Sequence, residues 1–229
     1  MRYDEARARL TDVPKRLPPM PRELVPVIVA GPDGRTGAFP RFPDEPRRSA
    51  AVLILIHPDA DGQACVTLTE RSAGGHRHAG QVSLPGGAID EGDVSVVAAA
   101  LREAREEIGL DPAQAGVVVA GVLPTVDVRA SGFMVEPVIA FADRPPTLVP
   151  DEREVAAILT APLSAFLPGA PIEIVSDARD GFQLRYGGYR IGAHLVWGAT
   201  AGILGRLGAY LGEDGATDQA DVSGLARGA

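Results

Sequence analysis

The stretch GGAIDEGDVSVVAAALREAREEIGL, residues 86–110, decides how the rest of the chain is read. It opens on a glycine pair, crosses an acidic loop and continues with helical periodicity. With Asp93 as N-cap, Val97, Leu101, Ala104 and Ile108 fall on one side of a helix at about 100° per residue, which predicts a buried stripe. Gly109 and Pro112 are the stop signals. Glu103 and Glu107 stack at the edge of that stripe, about 40° from each other, while Glu106 points farther round. Arg102 and Arg105 lie on the other flank, placed to pair with carboxylates. Stacked carboxylates repel, and a hard divalent cation such as Mg²⁺ or Mn²⁺, which prefers oxygen ligands, removes that repulsion. For the helix alone, the alternative is a solvated acidic end. Gly86 and Gly87, between a strand and an acidic helix, permit close approach of a phosphate or metal to the main chain.

Outward from this stretch, the continuous apolar run AAVLILI at 50–56 predicts a buried strand, and further strands are expected over 64–69, 82–84, 117–122 and 133–141. Residues 71–80 and the stretch around 129–132 read as loops. A short helix is expected at 163–167, and short strands at 172–175, 182–186 and 189–191, the last two joined by Gly187-Gly188. Residues 195–211 carry a second long helical pattern, with Trp197 as core beneath it. Residues 1–47 read as an extension: a short helix at 3–10, then prolines that break regular structure. It packs across the domain or helps to form a homodimer. The domain proper is expected over 48–211, followed by a disordered tail at 212–229. The alternation of strands and helices predicts an α/β fold, a mixed sheet covered by helices on both faces.

Composition narrows the function classes. A formal charge of -8 over 229 residues argues against a broad nucleic-acid-binding surface. Cys65 is the only cysteine, so neither an internal disulfide nor a cysteine metal cluster is available. No apolar run approaches the roughly 20 residues of a membrane span, and the first residues lack the apolar region of a signal peptide, so a cytoplasmic location without membrane partners is expected.

The opening stretch resembles the motif of the Nudix hydrolases, which runs Gly, five residues, Glu, seven residues, then Arg-Glu-apolar-x-Glu-Glu-x-Gly-apolar. Residues 102–110, REAREEIGL, match its second half at every fixed position. The first half departs: Asp93 stands for the usual glutamate, and eight residues rather than seven separate it from Arg102. The preceding loop resembles the signature of the coenzyme A diphosphatase branch. Leu68, Thr69, Arg71, Ser72, Arg77, Gly80 and Pro85-Gly86-Gly87 carry that likeness, with His76 where Leu or Met is usual and Leu84 where Phe is usual. The longer box spacing and Trp197-Gly198-Ala199-Thr200-Ala201 are similar to the same branch.

The resemblance, over roughly residues 50–210, implies an α/β/α sandwich. It implies that Glu103, Glu106 and Glu107, with the Gly87 carbonyl as an addition, hold Mg²⁺ or Mn²⁺, and that Arg71 and Arg77 contact phosphates next to the Gly86-Gly87 turn. The general base comes from a separate loop, with Glu152 and Glu154 as candidates and Glu154 foremost, or from a box glutamate; the alternative for Glu154-Val155 is a helix-start or strand-edge feature. His76 and His78 lack a third ligand and read as polar contacts or exposed residues. The implied reaction is hydrolysis of the diphosphate of coenzyme A, and of its esters, to 3′,5′-ADP and 4′-phosphopantetheine. The alternatives are another nucleoside diphosphate derivative, such as ADP-ribose or a dinucleotide, and a non-catalytic ligand sensor.

Overall fold

The computed structural model describes residues 1–31, 34–38, 47–73, 80–128, 131–179 and 181–213. Helix α1 (Tyr3–Arg9) and a 3-10 turn (Arg22–Leu24) precede β1 (Val27–Ala30) and β2 (Gly37–Ala38). The central strands are β3 (Arg48–Pro58), β4 (Ala64–Arg71), β5 (Val82–Ser83) and β6 (Gly86–Ala88), which lead into α2 (Val96–Ile108). Then come β7 (Val118–Val122), β8 (Val126–Val128), β9 (Phe133–Phe141) and β10 (Val155–Pro162). A second 3-10 turn (Leu163–Phe166), β11 (Glu173–Arg179), β12 (Phe182–Ile191), β13 (His194–Trp197) and α3 (Gly198–Gly212) complete the described chain.

The apolar run in β3 is continuous because both faces of the strand are covered. Ala51, Leu53 and Leu55 pack with Ala100, Ala104 and Ile108 of α2, whereas Ala50, Ile54 and Ile56 join the core formed with α1 and α3. The main sheet runs β10-β4-β3-β9-β7, with β5, β6 and β8 attached to β4, β3 and β9. It is mixed: β3 and β9 are parallel, with Leu53 opposite Val138, and the neighbouring pairs are antiparallel. Helix α2 on one face and α1 with α3 on the other give the expected α/β layering.

A second sheet runs β11-β12-β1-β2 with β13 on β12; β11 and β12 fall on the strands expected at 172–175, 182–186 and 189–191, whereas β1, β2 and β13 are not expected from the sequence. Its strand β1 lies in the segment expected to be broken by prolines, yet it pairs with β12, Val27 opposite Arg185. Leu10 and Leu24 from the same N-terminal segment are fully buried in the α3-side core. Arg206 of α3 ties this segment down by donating to the Pro18 and Leu17 carbonyls at 2.9 and 3.3 Å. Gly187-Gly188 does not join two strands; it lies inside one. A side chain at 187 would strike the Glu23 carbonyl, and one at 188 would sit 2.7 Å from the Val196 carbonyl. Trp197 closes β13 and packs on Tyr186, with ring centroids 4.6 Å apart, in the small sheet's own apolar cluster rather than beneath the last helix. That helix starts at Gly198, because residues 194–197 are held in the β12–β13 ladder.

Two local expectations in the opening stretch also need correcting. The N-cap of α2 is Ser95, whose Oγ accepts from the Ala98 N–H at 3.1 Å, and not Asp93. The buried face comprises Ala99, Ala100, Ala104, Glu107 and Ile108, while Val97 and Leu101 are half-buried. The helix does stop at Gly109, which adopts the left-handed conformation at φ 62°. Among the described residues, no helix is long and apolar enough to cross a membrane.

Candidate active site

Strand β6 brings the glycine pair directly onto β3, with Gly86 opposite Val52 and Gly87 opposite Ala51. Only glycine fits at 86: its φ is 150°, and an added Cβ would strike the Ala51 carbonyl and lie 2.6 Å from the Val52 Cα. This close approach aims the Gly86 N–H at Glu107, whose Oε2 accepts it at 3.0 Å. At Gly87 the missing side chain leaves room for the Glu103 carboxylate, which would otherwise lie 2.6 Å from the Cβ. The turn and the helix are therefore two halves of one surface.

Glu107 is a charged residue on the buried face of α2, 4% exposed. Burial pushes its carboxyl up to about 7, against the opposing pull of the Gly86 N–H and of Arg71 at the end of β4. Glu103 is also pushed up by burial, and the Arg102 guanidinium, donating to its Oε1 at 2.9 Å, opposes the shift. The negative fields of Glu103 and Glu154 raise Glu107, and those of Glu106 and Glu154 raise Glu103. Glu103 and Glu107 thus share one partly desolvated region, the exposed Glu154 adds its negative field to both, and Arg71 is a cation acting on Glu107. Glu106 is largely exposed, accepts from Arg102 at 3.0 Å, and its charge also acts on Glu103. Glu152 is exposed and is not among the groups acting on Glu103 or Glu107.

Asp93 does something that the motif reading left unassigned. Its two oxygens take Arg102 Nε at 3.0 Å and Nη2 at 2.9 Å, and Oδ2 also accepts the Asp90 N–H at 2.8 Å. Arg102 further donates to the Ala88 carbonyl at 3.1 Å. The bidentate pair holds Asp93 below the usual carboxylate range and pins the acidic loop to the helix. The aspartate in the longer loop reaches the first residue of the REAREEIGL run.

Glu154 arrives from a separate turn. Its N–H donates to the Asp151 carbonyl at 2.9 Å, and Asp151 in turn donates its own N–H to the Glu107 carbonyl at 2.9 Å. The side chain of Asp151 is paired with Arg153, which holds it down at about 2. Val155, read as a strand edge in the sequence, opens β10. Arg77, His76 and His78 lie outside the described residues.

Among the described residues, no three His, Cys, Asp or Glu side chains form a ready-made metal cage. The donor chemistry nevertheless suits a hard divalent cation: oxygen ligands alone, and carboxylates whose burial, with a smaller part from mutual repulsion, raises their proton affinity.

Comparison with known proteins bears on the family of the chain. The model of the NUDIX domain matches residues 46–175. An uncharacterized Nudix hydrolase, NudL, from Citrobacter koseri is 42% identical over 168 residues, which cover 72% of this chain and 84% of that protein. NudL from Shigella flexneri serotype 5b is 41% identical over 177 residues, 76% of this chain and 88% of the relative. The crystal structure of RenU, a Nudix hydrolase from M. smegmatis, matches with a TM-score of 0.43 and 26% identity, covering 61% of this chain and 80% of that one. A domain match across more than half of the 229 residues, with identity above 40% to relatives aligned over most of their length, means that this chain belongs to the Nudix hydrolase family.

Proposed function

We propose that this protein hydrolyses the diphosphate of coenzyme A and of its esters, with Mg²⁺ or Mn²⁺, releasing 3′,5′-ADP and 4′-phosphopantetheine. The observation that supports the reading is the pull of the Arg71 charge on the Glu107 carboxyl. Arg71 belongs to the loop that resembles the coenzyme A diphosphatase signature, Glu107 to the acidic helix, and Arg71 is near enough to pull the Glu107 carboxyl down.

Glu103 and Glu107 would hold the cation, with Glu106 as a third ligand and the Gly87 carbonyl as an addition. The bound cation neutralises phosphate charge and lowers the pKa of a water. Arg71 presents a fork of donors to the diphosphate oxygens, and Arg77 of the same loop has the same role. Glu154 takes the proton of the water that attacks phosphorus, and the phosphoanhydride P–O bond breaks with the leaving phosphate carrying the charge. The burial of Glu103 and Glu107 strengthens each of these interactions relative to open water. The retention of all three box glutamates disfavours a ligand sensor.

The test is a substrate panel of coenzyme A, acetyl-coenzyme A, ADP-ribose and diadenosine polyphosphates, each with Mg²⁺ and with Mn²⁺, products identified by mass. Release of 3′,5′-ADP as the fastest reaction supports the proposal. Faster turnover of ADP-ribose or a dinucleotide moves the specificity elsewhere in the family, and tight coenzyme A binding without any product favours the sensor.

A further inference from the structure

The residue after Arg71 touches the turn that carries Glu154. The Ser72 N–H donates to the Glu154 carbonyl at 2.9 Å, and the Ser72 Oγ donates to the Arg153 carbonyl at 2.7 Å. Ser72 is buried, 9% exposed, and its single hydroxyl proton goes to that main-chain oxygen. At its other end the turn is fixed to α2 through the bond from the Asp151 N–H to the Glu107 carbonyl. Within the turn, the Glu154 and Val155 N–H groups both close on the Asp151 carbonyl, at 2.9 and 2.8 Å. Beyond it, β10 pairs with β4 from Val155 opposite Arg71, and the register slips between Val155 and Ala157. The ladder is therefore irregular next to Glu154, and Ser72 supplies bonds there that a regular ladder would have supplied.

We infer that Ser72 is a positioning residue that acts through Glu154. It bolts the substrate loop to the 151–154 turn, so that the Glu154 carboxylate stays in the field of Glu103 and Glu107. The inference rests on the role proposed above for Glu154.

The test compares Ser72→Ala, Ser72→Thr, Glu154→Gln and the double variant Ser72→Ala/Glu154→Gln in the full chain. Steady-state rates with coenzyme A and Mn²⁺ are combined with amide hydrogen exchange over residues 151–155. Ser72→Ala is expected to lower kcat about tenfold or more with KM nearly unchanged, since a placed base contributes about 10²-fold or more. Ser72→Thr restores the rate, and the double variant is no slower than Glu154→Gln alone. Exchange over 151–155 accelerates in Ser72→Ala and not in Ser72→Thr. Additive losses, or a raised KM at unchanged kcat, would mean that Ser72 acts elsewhere or touches substrate, and overturn the inference. If no form turns over coenzyme A, or if Glu154→Gln is fully active, the functional reading falls; unchanged exchange in Ser72→Ala then overturns the bolt on its own.

Discussion

Glu103 occupies the space that a side chain on Gly87 would take: an ideal Cβ at 87 lies 2.6 Å from the Glu103 Cδ and from both of its carboxylate oxygens. The obstacle is the end of a flexible side chain, and Gly87 does not have a left-handed backbone. Gly87→Ala should therefore keep its fold, with Tm within about 3 °C of the parent, while displacing Glu103 and lowering kcat about 100-fold. Gly86→Ala should do the opposite first. Its Cβ would meet the main chain of Ala51 and Val52 at a positive φ, so the protein loses about 2–4 kcal/mol of stability. Thermal melts and Mn²⁺-dependent rates on the two variants separate the effects; equal loss of stability in both would refute the assignment.

The raised carboxyl of Glu107 has a stability signature in metal-free protein. Its value rises from 4.5 to about 7 in the fold, so its contribution is fully present below about 4.5 and is lost as pH climbs through about 7. The difference corresponds to on the order of 3 kcal/mol by pH 8. Glu107→Gln has no proton to lose and can still accept from the Gly86 N–H. In EDTA the variant should overtake the parent in Tm above pH 7, and Mn²⁺ should restore the parent but not the variant. Turnover by Glu107→Gln should fall about 10³-fold. A Tm difference that does not change with pH would contradict the shift.

Arg102 holds Asp93, Glu103, Glu106 and the Ala88 carbonyl at once. Arg102→Ala removes that hub and leaves partly buried carboxylates facing one another. Discounted for partial exposure, the loss is about 1–2 kcal/mol, or a Tm lower by roughly 5 °C. Asp93→Glu, adding one methylene in a loop already one residue longer than the family pattern, should recover the ion pair only in part. Melts of the two variants provide the check, and an unchanged Tm for Arg102→Ala would show that the hub is dispensable.

Gly208 tests the packing of α3 without touching the site. An added Cβ there would collide with the Phe166 carbonyl, a main-chain atom that cannot swing away. Gly208→Ala should cost about 3 kcal/mol or more, although alanine is the better helix former. A neutral or stabilised variant would mean that α3 can slide over the 3-10 turn.

The parts of the fold that sequence conveyed are those whose pattern is local. The run in β3 is apolar because both of its faces are covered, and α2 ends where Gly109 permits a left-handed residue. The stripe expected on α2 holds at Ala104 and Ile108, with Val97 and Leu101 packed beside them, but the buried face is turned toward Ala100 and Glu107. Strand β13 was read as helix, since LVW continues the apolar spacing of α3 and only pairing with β12 makes it extended. The glycine pair in β12 looked like a turn because close approach of another backbone leaves no mark on neighbouring residues. In the site, Glu103 and Glu107 followed from helix geometry and Arg71 from the loop resemblance. The contacts of Asp93 with Arg102 and of Ser72 with the 151–154 turn join residues across loops, and spacing does not encode them.

The small sheet is sewn from both ends of the chain: β1 near the start hydrogen-bonds to β12 near the finish, and Leu24 and Leu207 share one core. The stretch that matches the family, residues 46–175, ends inside β11 and leaves out α1, β1, β12 and α3. Excised at those limits, it would present to water the flank of the main sheet that α1 and α3 cover. The segment by which the protein is recognised is thus smaller than the segment that shares its core, and a version trimmed to 46–175 is expected to expose that apolar flank and aggregate.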